Sequence, residues 1–253
     1  RYTMGPQDNR SIMPCIRTAG QIDAKTAAGL PRAPSRGLTR DMRVTKHEHA
    51  ALTIRDSGKT LIVDPGSFTD PLPDDGDVVA IVLTHEHPDH WTPEHLRRIL
   101  SNAPKAQIIG PQGLADAAAG FDVTVVSPGD SMKVGPFELE FFGGKHAVIH
   151  ESIPVIDNVG VLVNDRLYYP GDSYEVPEGR NVKLLAAPVG APWLKIGEAM
   201  DFVLAVAPRM CFGTHDMTLS IIGRTMGRQR LRWATEQGGG EFLELDAGAS
   251  VDI

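Results

Sequence analysis

The segment Asp77–Trp91, DVVAIVLTHEHPDHW, decides how this chain folds. Its first eight residues, Asp77–Thr84, are an almost unbroken apolar run rich in Val and Ile, the pattern of a strand buried on both faces. Thr92-Pro93-Glu94 then opens TPEHLRRIL with a threonine N-cap, a proline in the first turn and an acid at the positive end of a helix. The histidines between them therefore occupy a strand-to-helix loop. Within six residues that loop offers four groups able to ligate a metal: His85, His87, Asp89 and His90. A tight loop can turn such side chains into one pocket, whereas a helix would spread them over its faces.

Upstream, MRVTKH, AALTIRD and KTLIVDPG are short β-rich runs divided by polar or glycine turns, a meander that starts at Met42. Downstream, AQIIG, VTVV, SMKVG and FELEFFGG read as strands, with a short helix around GLADAAAG, and VGVLVNDRLYYPGD reads as a hairpin turning at Asn164–Asp165. KLLAAPV is a further buried strand, GEAMDFVLAVAP a helix, and MCFGTH a strand ending in histidine. SIIGRTMGRQRLRWATEQ is an amphipathic helix that stops at GGG. Strands alternating with helices in both halves predict one layered α/β domain over residues 42–253, with no linker to divide it. Residues 1–41 differ: they hold seven Arg plus Lys against three Asp and no Glu, and they lack periodicity. They are expected to form an irregular N-terminal extension, either a tail or an arm that borders the site or another subunit.

A chain of 253 residues, 42% hydrophobic, can bury a full core. The net charge of −7 argues against general nucleic-acid binding through a basic field. Cys15 and Cys211 stand far apart and form neither a disulfide framework nor a thiolate zinc site, which points to a reducing compartment. No run approaches the roughly 18 apolar residues of a membrane span. The expectation is a cytoplasmic protein acting on a small-molecule substrate, without membrane contact, and compatible with a homo-oligomer.

The string His85-Glu86-His87-Pro88-Asp89-His90 resembles the signature of the metallo-β-lactamase superfamily, and the resemblance extends over about residues 42–253. Asp64 in LIVDPG looks like the strand and turn that precede that signature. Gly144-Lys145-His146, Tyr169-Pro170-Gly171-Asp172-Ser173 and Gly213-Thr214-His215-Asp216 look like the segments that carry the third histidine, the bridging aspartate and the last histidine. The resemblance implies a four-layer αββα sandwich. It also implies that His85, His87 and His146 hold one metal ion and Asp89, His90 and His215 a second, with Asp172 between them. Imidazoles and carboxylates suit Zn²⁺ first, with Mn²⁺ or Fe²⁺ as alternatives.

The activity implied is hydrolysis of an ester-type bond by a metal-bridged hydroxide. A lactone or phosphodiester is favoured, by likeness to the ascorbate-phosphate-lactonase-like and phosphodiesterase-like branch. Thioester or β-lactam hydrolysis, or a metal-free binding homologue, are the alternatives. Asp89 is expected to be catalytic, as a ligand that also orients the nucleophile or moves its proton. Asp64 is expected to support a ligand histidine or simply to turn the chain. The di-iron oxidoreductase branch fits less well, because it carries a carboxylate where this chain has His87 and usually adds a flavin domain, which this sequence lacks.

Outside the signature, His150 lies four residues beyond His146 and reads either as a substrate contact or proton donor, or as a loop residue. Trp193 and Lys195 in APWLK, and Tyr174 two residues after Asp172, are candidates for substrate binding; the alternatives are an aromatic cover for the core and a solvated lysine. His47, His49 and His95 read as ordinary surface or internally satisfied histidines.

Overall fold

The computed structural model describes residues 42–73 and 77–253; the extension expected at residues 1–41 lies outside them. Strands β1 (Arg43–Lys46), β2 (Leu52–Asp56) and β3 (Lys59–Val63) make the antiparallel meander that the sequence predicts. Then β4 (Asp77–Val82), α1 (Pro93–Asn102), β5 (Gln107–Gly110), α2 (Gln112–Ala117) and β6 (Val123–Val125) add three strands parallel to β3 through crossovers. A second meander, β7 (Ser131–Val134), β8 (Phe137–Lys145), β9 (Asp157–Val163) and β10 (Leu167–Tyr169), repeats the plan. It is extended in parallel by β11 (Leu184–Pro188), α3 (Ile196–Val206), β12 (Met210–Thr214), α4 (Ile221–Gln237) and β13 (Glu241–Phe242). Finally β14 (Ser250–Asp252) returns to pair with β1. Neither β13 nor β14 was expected from the sequence: Glu241–Phe242 and Ser250–Asp252 are short and stand outside any apolar run.

Two seven-stranded sheets result, ordered β14-β1-β2-β3-β4-β5-β6 and β13-β12-β11-β10-β9-β8-β7. Side-chain alternation along the buried strands assigns the layers. Leu61, Val63, Ala80 and Val82 face the second sheet, where they meet Phe137, Phe141, Val161, Leu184 and Phe212. Their neighbours Ile62, Ile81 and Leu83 face the other way, onto Leu96 and Ile99 of α1 and Leu114 of α2. In the second sheet Leu184 and Ala186 point inward, while Leu185 and Ala187 pack on Phe202 and Val203 of α3 and Leu231 of α4. A strand that must satisfy two apolar interfaces cannot afford polar alternation, which is why these runs read as continuous. The order helix, sheet, sheet, helix is the αββα sandwich.

Local signals act where the sequence placed them. The Thr92 side chain accepts the His95 N–H at 3.2 Å and caps α1. Asn164 and Asp165 take φ values of 51° and 50°, the paired left-handed residues that a tight β9–β10 hairpin demands. Among the described residues no helix is long and apolar enough to cross a membrane.

Strand direction then positions the site. Because β3 and β4 are parallel, Asp64 and the His85–His90 loop leave the first sheet at the same edge. In the second sheet β8 and β10 are both antiparallel to β9, and β11 and β12 continue parallel to β10. The segments carrying His146, Asp172, Trp193 and His215 therefore leave that sheet at one edge too. The same parity applies to β1, which is antiparallel to β2 as β2 is to β3. Its following turn, residues 47–51, thus lies at the edge from which the signature loop emerges.

Candidate metal centre

The donor atoms converge in two groups joined through Asp172. His85, His87 and His146 bring ring nitrogens within 4.8 Å of one another, and so do Asp89, His90, His215 and, unexpectedly, His49. His85, His90 and Asp172 form a third such set that links the other two. The Asp172 carboxylate lies 3.3 Å from His90 Nε2, 3.4 Å from His146 Nε2 and 3.1 Å from His215 Nε2. Asp89 Oδ2 lies 3.4 Å from His215 Nε2 and 3.9 Å from His90 Nε2.

Outer hydrogen bonds aim four of the imidazoles, while His87 Nδ1 lies 3.1 Å from His85 Nε2 within the cluster. His146 Nδ1 donates to the Ala147 carbonyl and His215 Nδ1 to the Gly190 carbonyl, each at 2.6 Å. His90 Nδ1 donates to Asp64 Oδ2 at 2.7 Å. His85 Nδ1 sits 3.0 Å from Thr84 Oγ1, whose hydroxyl donates to the same Asp64 oxygen at 2.7 Å. Four rings thereby commit Nδ1–H outward and turn Nε2 toward the centre, where it can ligate once it is free of a proton. A histidine that ligates a metal commonly donates its other N–H to a carboxylate or carbonyl in this way. Asp64, fully buried, serves two rings at once; of its two expected roles it performs the support of histidines.

The backbone is shaped for this convergence. Asp64, His49 and His215 all adopt left-handed φ, at 46°, 57° and 56°. Such conformations cost a non-glycine residue about 1–3 kcal/mol and persist only where the surroundings enforce them. Gly66 lies under the Asp89 carbonyl so closely that a Cβ there would collide with it. A β-carbon on Gly171, with φ of 62°, would collide with Asn158 and with Thr84, the residue that orients His85.

Buried polar atoms without partners mark what the centre is built for. His90 Nε2, His146 Nε2, His215 Nε2 and Asp172 Oδ1 are inaccessible to solvent and make no hydrogen bond. The three nitrogens approach carboxylate oxygens, but not in hydrogen-bonding geometry. Each such orphan costs about 1–3 kcal/mol, and native proteins rarely keep several together without a ligand to satisfy them. A divalent cation accepts lone pairs from imidazole nitrogen and carboxylate oxygen together, so the donor set fits one.

Electrostatics agree. Burial disfavours a charge on His90 and His215, yet the Asp172 carboxylate, helped by Asp64 and Asp89 respectively, outweighs it: His90 is raised well above its ordinary value and His215 is pushed up to about 9. Burial likewise opposes ionisation of Asp89 and Asp172, but the surrounding imidazoles prevail and hold both carboxyls below the usual range. His85, His87 and His49 are lowered, chiefly by burial. The carboxylates create a negative field that calls for positive charge at one side of the cluster.

Of the residues singled out for substrate contact, three fall together. Trp193, Tyr174 and Lys195 line a cleft of about 560 Å³ together with Lys145, Glu175 and Glu198. Trp193 also belongs to the centre itself: its Nε1–H donates to Asp172 Oδ2 at 2.8 Å, and its ring meets His146 edge-on at 5.8 Å. Tyr174 packs against Trp193 at 5.2 Å. His150 is not brought into the cluster; it is exposed and bonded to Ser152 Oγ at 2.8 Å.

The reading of the remaining histidines needs one correction. His47 bonds Thr53 and His95 bonds the Thr69 carbonyl, as ordinary satisfied histidines do. His49 is instead wholly buried beside Asp89, with Nε2 3.1 Å from Asp89 Oδ2. Hairpin parity was the available signal, since the turn after β1 must emerge where the signature loop does.

Fold and site together define a class, proteins of the metallo-β-lactamase fold whose histidine and aspartate cluster can hold metal. The chain belongs to the β-lactamase superfamily: the family model for the β-lactamase superfamily domain matches residues 43–215. It is 37% identical over 215 residues to Protein Rv0786c of Mycobacterium tuberculosis, an alignment covering 83% of this chain and 99% of that one. Its fold is similar to that of Igni18, described as a novel metallo hydrolase from the archaeon Ignicoccus hospitalis, with a TM-score of 0.66, 16% identity and coverage of 84% and 98% of the two chains. It is equally similar to CmlA, a di-iron β-hydroxylase from Streptomyces venezuelae, with a TM-score of 0.66 and 16% identity, over 85% of this chain and 54% of that one.

Proposed function

We propose that the chain hydrolyses an ester-type bond, with a lactone or phosphodiester favoured, using two divalent ions of which Zn²⁺ is the first choice. The observation that carries this reading is the set of buried, partnerless donor atoms on either side of Asp172. His85, His87 and His146 would hold one ion, Asp89, His90 and His215 the other, and Asp172 would contact both. Bound there, such ions supply Lewis acidity toward a carbonyl or phosphoryl oxygen and make hydroxide available from water near neutral pH.

The protein's own groups do the rest. Trp193 fixes Asp172 by donating to Oδ2 and, being almost fully buried, keeps water from that side of the centre. Asp89 is the part-exposed carboxylate of the cluster, with 22% of its side chain accessible, and is placed to take a proton from a nucleophile entering from solvent. Tyr174 and Trp193, packed edge to face, offer an aromatic wall for the substrate. Lys195, largely exposed and 3.8 Å from Glu198, is free to reach an anionic group entering the cleft. Glu175 and Glu198 line the same cleft as Lys145 and Lys195, so its mouth is mixed in charge and Lys195 is the group proposed to meet an anion.

The test is metal content per chain by plasma mass spectrometry, with hydrolysis of bis(p-nitrophenyl) phosphate, a simple lactone, a thioester and nitrocefin assayed on the same preparation. About two divalent ions with turnover of the phosphodiester or lactone is the expected result. A folded protein that takes up no metal after reconstitution would overturn the reading, and turnover confined to the thioester or nitrocefin would reassign the bond.

A further inference from the structure

We infer that His49 is a positioning residue for the carboxylate side of the centre, acting on it by donating a hydrogen bond to Asp89. The inference rests on the metal-binding reading of the cluster and adds a residue to it.

Four contacts hold this imidazole. The Met217 backbone N–H donates to His49 Nδ1 at 3.3 Å, which makes Nδ1 an acceptor and leaves the ring proton on Nε2. That Nε2–H then points at Asp89 Oδ2, 3.1 Å away. The ring lies against His215 with centroids 4.0 Å apart, and Phe68 closes its outer edge at 5.0 Å. The His49 carbonyl accepts the His215 backbone N–H at 2.8 Å, so one residue is tied to both Asp89 and His215.

The turn that presents the ring is itself pinned. Lys46, buried, donates to the His47 carbonyl at 3.0 Å and pairs with Asp216, the neighbour of His215, at 3.3 Å. Arg228 reaches the same Asp216 carboxylate at 3.2 Å. The loop bearing His215 and the turn bearing His49 are thereby joined on both sides of the left-handed His49 backbone.

Hydrogen-bond direction separates positioning from ligation. Ligation through Nε2 would require the proton to sit on Nδ1, where it would confront the Met217 N–H. The observed partner favours the tautomer that donates. An Asp89 oxygen held in this way keeps its place among three imidazole nitrogens, and loss of such outer support typically weakens metal affinity by about 10- to 100-fold.

The experiment is Zn²⁺ titration of the metal-free protein against a chromophoric chelator, comparing wild type with His49→Ala and His49→Gln, each checked for folding by circular dichroism. Gln retains an N–H donor at a reach close to Nε2. We expect His49→Ala to lose about 10- to 100-fold in affinity for one ion only, with the affinity restored in large part by His49→Gln. Equal affinities in all three proteins would overturn the role. If the alanine variant does not fold, nitrogen-15 NMR of the wild-type histidines decides. An Nε2–H tautomer of His49 that persists on Zn²⁺ loading supports the inference, and a metal-shifted Nε2 overturns it in favour of direct ligation. Wild-type protein that takes up no Zn²⁺ would overturn the metal reading first, which the same titration distinguishes.

Discussion

The two halves of the cluster differ in what they ask of a cation. On one side stand three imidazoles, His85, His87 and His146; burial lowers the proton affinity of His85 and His87, which favours the neutral rings a metal needs. On the other side Asp89 joins His90 and His215, both with raised proton affinity, and a cation there must displace protons. The difference follows from where the carboxylates sit. Asp64 and Asp172 contact His90, while His85 reaches Asp64 only through the neutral Thr84 hydroxyl. One fold edge thus carries a neutral position and a charged one, with Asp172 common to both.

The largest effect should come from removing what the halves share. Asp172→Ala should abolish binding on both sides and lower hydrolysis by at least about 10²–10³-fold, the cost of losing one electrostatic group at a reacting centre. Retained activity with full metal content would break the assignment. Asp64→Asn tests the asymmetry: His90 bonds Asp64 directly and His85 only through Thr84, so metal affinity should fall by about 10- to 100-fold, more on the Asp89 side than on the three-histidine side. Isothermal titration resolving two binding events would measure it, and equal losses would mean that the halves are not distinct.

The pH dependence of metal binding should sharpen the same contrast. His215 is pushed up to about 9 and His90 is raised well above its ordinary value. Zn²⁺ affinity at the carboxylate side should therefore rise by more than about tenfold per pH unit below 9 and go on rising above it while His90 still carries its proton. Affinity at the three-histidine side should depend less on pH, because burial lowers His85 and His87. Stability of the metal-free protein should run the other way. The raised pKa of His215 contributes stability that is complete below its ordinary value near 6.5 and is lost as pH climbs through about 9. Melting temperatures of chelator-treated protein should therefore fall between those values, and a flat profile would mean that His215 is not charged.

Trp193→Phe keeps the aromatic wall and deletes the hydrogen bond to Asp172. It should weaken metal binding by about tenfold without unfolding the protein, as read by metal content after dialysis. The smallest effect belongs to the cleft beyond the centre. Lys195→Ala should raise KM for an anionic substrate a few-fold and leave kcat and metal content unchanged; a fall in kcat instead would move Lys195 into the reaction itself.

The layers and the signature loop were legible because the information is local. A buried strand, a capped helix and an Asn164–Asp165 turn each need only a few neighbouring residues to declare themselves; their alternation gives a layered α/β domain, and the αββα order came from the family resemblance. The segments that carry His146, Asp172 and His215 were legible only through resemblance, since one histidine after one strand is a weak signal by itself. His49 was misread for a related reason: within KHEHA nothing distinguishes it from His47. The two separate only when β1 pairs with β2 in register and the turn places one ring against Asp89 and the other against Thr53.

What the sequence by itself determined was therefore the elements from β1 to α4 and the loop that brings four donors within six residues. Tertiary structure alone decided that His49 enters the centre while His150 stays outside it, that Trp193 bonds Asp172, and that β14 closes onto β1 across 205 residues or more. Those outcomes depend on strand direction and register between segments far apart in the chain. Register fixes which side chains face the same volume, and no local pattern encodes it.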